Sequence, residues 1–462
     1  MRSLSRSTPP RVARLPLAEM RLGARFVSIA VLALIALELL AAWLTPSVTP
    51  WLHVALALTA WELSVQLVVT HAGMRARHDA TPSTPMSVSV LVAAWNEERD
   101  IVRTVRSILS QEGVTLEVIV ADDGSTDRTR AVLLEAFALV DEGPWLVDAA
   151  RSLRVITVAH AGKGAALEAA RRVARHPILV TVDADTVLGP GAIEHLTRPF
   201  VDVQVEAAAG AVIVRDARDL LSRFQYAEYL ETTFVRHGWS QLGLLEQVPG
   251  AFAALRASSV EHAGGFPIDS LTEDYELIFR LYARAAEEGR TIRVPTIVDA
   301  CAYTEPPRML AGLARQRTRW FAGFLVTLAR FRSLLLDPRA RAFGLVRLPI
   351  KLIDALLPPW SLLSLAIVAT SALGSDHLGF EISALGLVLL AVRVAFDIAQ
   401  THLALARHRA AASRLEALEP SRAITWLHAL ADAWSYAWLR QLLVLRAYPF
   451  ALTKGRVWET SR

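Results

Sequence analysis

The stretch Ile178-Leu179-Val180-Thr181-Val182-Asp183-Ala184-Asp185-Thr186 decides how the rest of the chain is read. Apolar and β-branched residues run straight into two carboxylates, the pattern of a buried strand that ends at an acidic edge. Gly189-Pro190-Gly191 then turns the chain into the next helix. Carboxylates one residue apart at a strand end are placed to share a hard divalent cation, Mg²⁺ or Mn²⁺, with substrate phosphates. An isolated Asp-x-Asp is more often a solvated turn, so its neighbours decide the matter.

Working outward, Ser87 to Ala93 reads as a strand that leads into Ala94-Trp95-Asn96-Glu97-Glu98, with a helix from about Asp100 to Gln111. Leu116 to Ala121 is a second strand, ending in Asp122-Asp123-Gly124-Ser125-Thr126-Asp127, where Ser125 or Thr126 can cap the following helix. Strand, polar loop and helix recur from Leu153 and from Ile178. This alternation predicts an α/β domain between about Met86 and Arg330, with a mainly parallel sheet that binds ligands beyond the carboxyl ends of its strands. Each polar motif alone is compatible with an ordinary capped turn. Three on one sheet edge point to a pocket for a nucleotide and a metal. The loop His160-Ala161-Gly162-Lys163-Gly164 adds a flexible cationic reach toward phosphate, although it lacks P-loop spacing. Asp202 to Asp219, including Arg215, reads only as strand and loop.

The 462 residues leave room for more than this domain, and 53% of them are hydrophobic, with a mean hydropathy of +0.35. That is too apolar for an ordinary soluble enzyme. The single cysteine, Cys301, excludes an internal disulfide. A net charge of +4, with arginines gathered beside hydrophobic runs, suits membrane topology better than nucleic acid. Phe26 to Leu44 and Trp51 to Thr70 are each close to the ~20 residues that cross a bilayer. Ala355 to Leu373 and Phe380 to Leu403 look like a second pair. The basic N-terminus, residues 1–25, and the loop carrying Arg407, Arg409, Arg414 and Arg422 place both hairpins with their ends inside. Residues 71–330 are thereby expected in the cytoplasm, at the inner (plasma) membrane of the cell, and 331–462 as spanning and interfacial helices. Ala423 to Leu452 is either a fifth span or an in-plane amphipathic helix, and its basic tail favours the latter. Glu62 and Arg393 fall at similar depths in their runs and are expected to pair across two helices or to line a polar conduit.

The order of these motifs, followed by Val248-Pro249-Gly250-Ala251-Phe252, Gly264-Gly265-Phe266, Leu271-Thr272-Glu273-Asp274 and Gln316-Arg317-Thr318-Arg319-Trp320, resembles the membrane-bound family 2 glycosyltransferases. That group includes the cellulose, hyaluronan, chitin-oligomer and poly-N-acetylglucosamine synthases, and the likeness is greatest to the last two. The resemblance implies a glycosyltransferase A-type domain flanked by transmembrane helices. It also implies inverting transfer of a sugar, expected to be N-acetylglucosamine, from its UDP derivative to an acceptor hydroxyl.

By the same resemblance, Trp95, Glu97, Asp122 and Asp123 hold the uridine and Lys163 contacts the donor. Asp183 and Asp185 position sugar, diphosphate and metal. Asp274 is the expected general base; a free Asp, with a pKa of ~3.9, needs burial or Glu273 to raise it. Thr272 would cap the helix that begins there. Gln316, Arg319 and Trp320, at i, i+3 and i+4, share one face of a helix near 308–330 that lies at the membrane surface and floors the acceptor site. Position 95 is Trp where many relatives have Tyr, and Glu168-Ala169 stands where many have Asn. The expected partners are a UDP-sugar, a growing saccharide or a lipid acceptor, the membrane, and a second copy or an accessory export subunit. The alternatives are a non-processive enzyme acting on a lipid or short oligosaccharide, and a catalytically inactive nucleotide-binding scaffold.

Overall fold

The computed structural model describes residues 50–75, 86–139, 145–148, 151–372, 391, 394–404, 406 and 435–453. Among them nine strands form one sheet: β1 Met86–Ala94, β2 Val114–Asp122, β3 Trp145–Asp148, β4 Arg151–Thr157, β5 Ile178–Val182, β6 Val187–Leu188, β7 Ala207–Val214, β8 Phe252–Arg256 and β9 Thr296–Thr304. Across the sheet they lie in the order β3-β4-β2-β1-β5-β8-β7-β9-β6. The helices are α1 Pro50–Arg75, α2 Ile101–Leu109, α3 Thr129–Phe137, α4 Lys163–Val173, α5 Ala192–Thr197, α6 Leu220–Gln241, α7 Ala257–His262, α8 Glu273–Glu287, α9 Leu310–Arg330, α10 Leu348–Ala372, α11 Ala437–Leu445 and α12 Ala447–Thr453.

The period-2 pleat divides each strand between two cores. On one face Val88, Val90 and Val92 of β1 pack with Ile101, Val105 and Ile108 of α2. On the other, Leu91 and Ile119 meet Ala166, Leu167 and Ala170 of α4 and Leu277 and Ile278 of α8. Each aliphatic side chain so buried contributes roughly 1.5–3 kcal/mol, which makes the sheet a rigid base for the loops at its edge.

The sheet is parallel through β4-β2-β1-β5 and at β7-β9, as the alternating pattern predicts. It is antiparallel at β5-β8 and β7-β8, and at both margins. The sheet is therefore mixed, because short apolar strands carry no signal of direction. The reversal matters for function. Val182 pairs with Phe252, so the carboxyl end of β5 meets the amino end of β8, and Asp183 N bonds to Ala251 O at 3.3 Å.

The expected membrane spans have a different outcome. Among the described residues, no helix is long and apolar enough to cross a membrane. Within α1, which covers the expected span 51–70, Glu62, Ser64, Gln66 and Thr70 interrupt the apolar run. Ser64, Val69 and Thr70 are buried against protein, and Gln400 Nε2 donates to Gln66 Oε1 at 3.2 Å. Phe26 to Leu44, Arg393 and most of Phe380 to Leu403 lie outside the described residues, as does 423–434. Of the last expected segment, α11 and α12 lie against α9, with Ala447 packed beside Ala322.

Candidate active site

Parallel register aligns the first two strand ends. Ala94 pairs with Asp122, so the loops after β1 and β2 leave side by side and bond to each other. Asn96 Oδ1 accepts from Thr126 N at 2.9 Å, Asn96 N donates to Ser125 Oγ at 2.9 Å, and Glu97 N donates to Thr129 Oγ1 at 2.7 Å. Ser125 and Thr126 thus do not cap α3; Asp127 Oδ1 accepts from Thr129 N at 2.9 Å instead. Asp122 and Asp123 are both buried. Asp122 Oδ1 accepts from Ser125 N at 3.0 Å, while Asp123 takes Ala161 N and Gly162 N, both at 2.9 Å, on its two oxygens. His160 Nδ1 lies 2.9 Å from Asp123 Oδ2, and its ring stacks on Trp95 at 4.7 Å and 17°. Asp123 thus anchors the 160–162 loop, and Trp95 with His160 forms a flat aromatic shelf above it.

That anchored loop delivers Lys163, the first residue of α4. The sequence pattern predicts a flexible reach; the structure fixes it. Gly162, at φ 96, turns the chain into α4, and Lys163 Nζ lies 2.7 Å from Asp183 Oδ1 and 2.8 Å from Glu273 Oε1. Burial works against the ammonium charge, yet Asp183, Glu273 and Asp274 outweigh it and hold Lys163 above its ordinary range.

Asp274 sits in the first turn of α8. Its Oδ2 accepts from Gly250 N and its Oδ1 from Tyr275 N, both at 2.8 Å. A Cβ on Gly250 would lie 2.9 Å from Lys163 Nζ and 3.0 Å from Asp274 Oδ2, so any side chain here would displace one of these two charged groups. Burial and the neighbouring Glu273 charge push Asp274 up to about 6, against Lys163 and the two N–H donors. Leu167, Val248 and Phe266 line the small void beside it. The predicted Thr272 cap makes no side-chain bond.

Asp185 lies on the other side of Asp183, with Thr304 Oγ1 at 3.3 Å from its Oδ1. Nearby, Arg215 bridges Asp100 at 3.1 Å and Glu305 at 2.8 Å, which gives the unassigned 202–219 segment a role in fixing this edge. Among the described residues no group of three or more His, Cys, Asp or Glu is placed to hold a metal. Two aspartates are nevertheless enough for an ion that takes its remaining ligands from phosphate and water, the usual Mg²⁺ arrangement. Glu168 has a structural partner set: it accepts from Phe266 N at 3.0 Å and pairs with Arg171 at 2.8 Å.

The helix expected near 308–330 is α9. Arg319 Nη1 donates to Leu271 O at 3.1 Å, tying α9 to the segment that leads into Asp274. Trp320 is 38% exposed, its ring 6.4 Å from that of Tyr229 on α6, and Gln316 Oε1 is buried without a hydrogen-bond partner. Residues on α6 escape a motif-based reading, although charges in a largely aromatic and apolar helix are a visible signal. Arg236 is one. Burial lowers it against the opposing charges of Asp274 and Glu246, and its Nε has no hydrogen-bond partner. It lines a cavity of about 190 Å³ between α1, α6 and α10, together with Trp61, Glu62 and Trp239. In the cavity wall, burial pushes Glu246 up, but Arg347 and Lys351 pull harder and leave it at about 2.

The sheet turns antiparallel beside a strand-end Asp-x-Asp, with a half-buried Asp at a helix start close by, an arrangement like that of the A-type glycosyltransferases. Residues 85–323 match the family model described as glycosyltransferase like family 2, and the chain belongs to that family. It is a family 2 glycosyltransferase enzyme. Among curated proteins it is similar to the poly-beta-1,6-N-acetyl-D-glucosamine synthase of Staphylococcus epidermidis, 26% identical over 243 residues that cover 51% of this chain and 54% of that protein. The synthase of Staphylococcus aureus strain COL is 24% identical over 238 residues, with the same coverage. The match thus spans about half the length of these relatives. Among solved structures, a mannosyltransferase from Pyrobaculum calidifontis, in complex with GDP-Man and Mn2+, matches with a TM-score of 0.58 at 22% identity, covering 87% of this chain and 99% of that one. That likeness supports the fold.

Proposed function

We propose that this enzyme transfers a sugar, N-acetylglucosamine in the leading reading, from its UDP derivative to the hydroxyl of a growing β-linked saccharide, with inversion at the anomeric carbon. The observation that carries the reading is the state of Asp274: half-buried, raised to about 6, and oriented by two backbone N–H groups. A carboxylate so placed is a better base than a solvated one and is still ionised near pH 7. It removes the acceptor proton as the oxygen attacks, while the N–H groups of Gly250 and Tyr275 hold its carboxylate in place.

On the donor side, the Trp95–His160 shelf offers a stacking surface for the base, and Glu97, Asp122 and Asp123 keep its loops in register. Asp183 and Asp185 would hold Mg²⁺ or Mn²⁺, which when bound takes up charge on the leaving diphosphate. Lys163 is a second cation beside that position. Gln316, Arg319 and Trp320 form the acceptor side, and the cavity beyond Arg236 offers the elongating chain a path past two tryptophans. A membrane setting belongs to the same reading: Leu352, Leu356 and Leu363 of α10 and Leu442 of α11 are exposed, and the N-terminal region is rich in arginine.

The test is a panel of UDP-sugars offered to the purified full chain, with UDP release and product mass measured. A ladder of products from UDP-N-acetylglucosamine, abolished by a chelator and restored by Mg²⁺ or Mn²⁺, is the expected result. A single added sugar would favour the non-processive alternative, and no UDP release from any donor would overturn the reading.

A further inference from the structure

We propose that Glu228 is a positioning residue that acts through Arg317 to fix the Trp320 indole as a platform for the acceptor saccharide, and that the segment 435–445 completes this support. The inference rests on the glycosyl-transfer reading and deepens it on the acceptor side. Glu228 is a buried carboxylate in the middle of α6 with three partners from two other parts of the fold. Arg317 Nη2 lies at 2.6 Å and Tyr436 Oη at 2.8 Å from its Oε2, and Arg440 Nη1 at 3.2 Å from its Oε1. Burial penalises the charge on Glu228, but Arg317 and Arg440 more than offset this and keep the carboxylate ionised.

Arg317, itself buried, carries this connection to the site: its guanidinium lies over the Trp320 ring, 4.4 Å from the centroid. The next residue on α6, Tyr229, approaches the same indole. One turn of α6 therefore grips Trp320 twice, by ring contact and through the Glu228–Arg317 pair. The C-terminal segment joins through Tyr436, which is 1% exposed and stacked on Phe224 at 5.3 Å and 13°. A tyrosine hydroxyl buried so deeply needs a partner, and Glu228 is that partner.

Apolar packing alone would join these helices at least as stably, because a buried ion cluster carries a desolvation cost that apolar side chains avoid. What the cluster adds is a single geometry for Arg317, and hence for the indole above it. A platform held in one rotamer loses less entropy when a sugar ring stacks on it. Trp320, at 38% exposure, keeps open surface for that contact.

The experiment measures binding of two probes, a β-linked N-acetylglucosamine tetrasaccharide and UDP, to the purified full chain. Wild type is compared with Glu228→Gln, Tyr436→Phe, Trp320→Ala and the Tyr436→Phe/Trp320→Ala double variant. Tyr436→Phe removes one hydroxyl and keeps the ring packing, so it remains informative if Glu228→Gln does not fold. Tetrasaccharide affinity is expected to fall roughly 3–10-fold in Tyr436→Phe, the scale of a displaced cation–π contact, with UDP affinity unchanged. The double variant should bind no more weakly than Trp320→Ala alone, since both changes act through one indole. Wild-type tetrasaccharide affinity in Tyr436→Phe, equal losses for both probes, or losses that multiply in the double variant would each overturn the proposal. So would a wild-type chain that releases UDP from UDP-sugar yet binds no tetrasaccharide. A chain that binds the tetrasaccharide but turns over no UDP-sugar would instead count against the transfer reading.

Discussion

Two groups of acids at the same sheet edge are used in opposite ways. On the nucleotide side, Asp122 and Asp123 accept backbone N–H groups from Ser125, Ala161 and Gly162, so their charges hold loops in shape. On the transfer side, Asp183, Glu273 and Asp274 crowd around a single ammonium, that of Lys163. One group is satisfied and rigid. The other has more negative charge than Lys163 balances, and burial, with the neighbouring Glu273 charge added to it, lifts Asp274 toward the working range of a base. In the proposed reading the first pair serves architecture and the second group chemistry, a division that the acidic residues of the sequence do not show by themselves.

The largest expected effect tests the second half of that contrast. Asp274→Asn should cut UDP-sugar turnover by roughly 10²–10⁴-fold, the usual worth of a general base, in a chain that remains folded. Turnover within a few-fold of wild type would erase the distinction. Next, Asp123→Ala should lower stability by about 2–4 kcal/mol in denaturant titration, because two N–H groups of the 160–162 loop lose their acceptor. A loss in turnover without a loss in stability would move Asp123 to the chemical side.

The third effect has the opposite sign. Burial and the Glu273 charge push Asp274 up to about 6 in the folded chain, against ~3.9 for a free aspartate, so the fold favours its protonated form. The resulting penalty is absent below about pH 4, grows as pH rises to 6 and is complete above it. Asp274→Asn removes that penalty and should stabilise the chain by ~2–3 kcal/mol at pH 7 but not at pH 4, as thermal unfolding at the two pH values would show. The smallest effect lies back on the nucleotide side. Ser125→Ala removes the acceptor for Asn96 N and should cost about 0.5–1.5 kcal/mol with little change in turnover.

Much of this site is legible in the sequence, and the reasons are local. A strand that ends in polar residues can be recognised in a window of ten, and three such windows followed by the Thr272-Glu273-Asp274 and Gln316 to Trp320 motifs resemble one family. Asp274 stands out because Thr272-Glu273-Asp274 opens an amphipathic helix and Glu273 is its neighbour. What could not be read depends on partners distant in the chain. Asp123 binds a loop 38 residues away, and the antiparallel turn of β8 beside β5, which brings Ala251 to Asp183, leaves no mark in strand composition. Lys163 looks like a mobile lysine between two glycines until Asp183 and Glu273 are seen on either side of it. Glu228 belongs to no motif, and only the arrival of α9 and the 435–445 segment shows why a carboxylate stands there. The hydropathy of the flanking runs led to a spanning assignment, whereas the described part of α1 turns several polar side chains toward protein.

The role of Asp274 as a base lifted by burial and the Glu273 charge is tested most directly by the pH dependence of kcat/KM for UDP-sugar turnover between pH 4.5 and 8.5. The account predicts a rising limb with an apparent pKa of about 6, below which the rate falls tenfold per pH unit as the carboxylate takes up its proton. A profile that stays flat to pH 5, or a limb near the ordinary aspartate value of ~3.9, would contradict it.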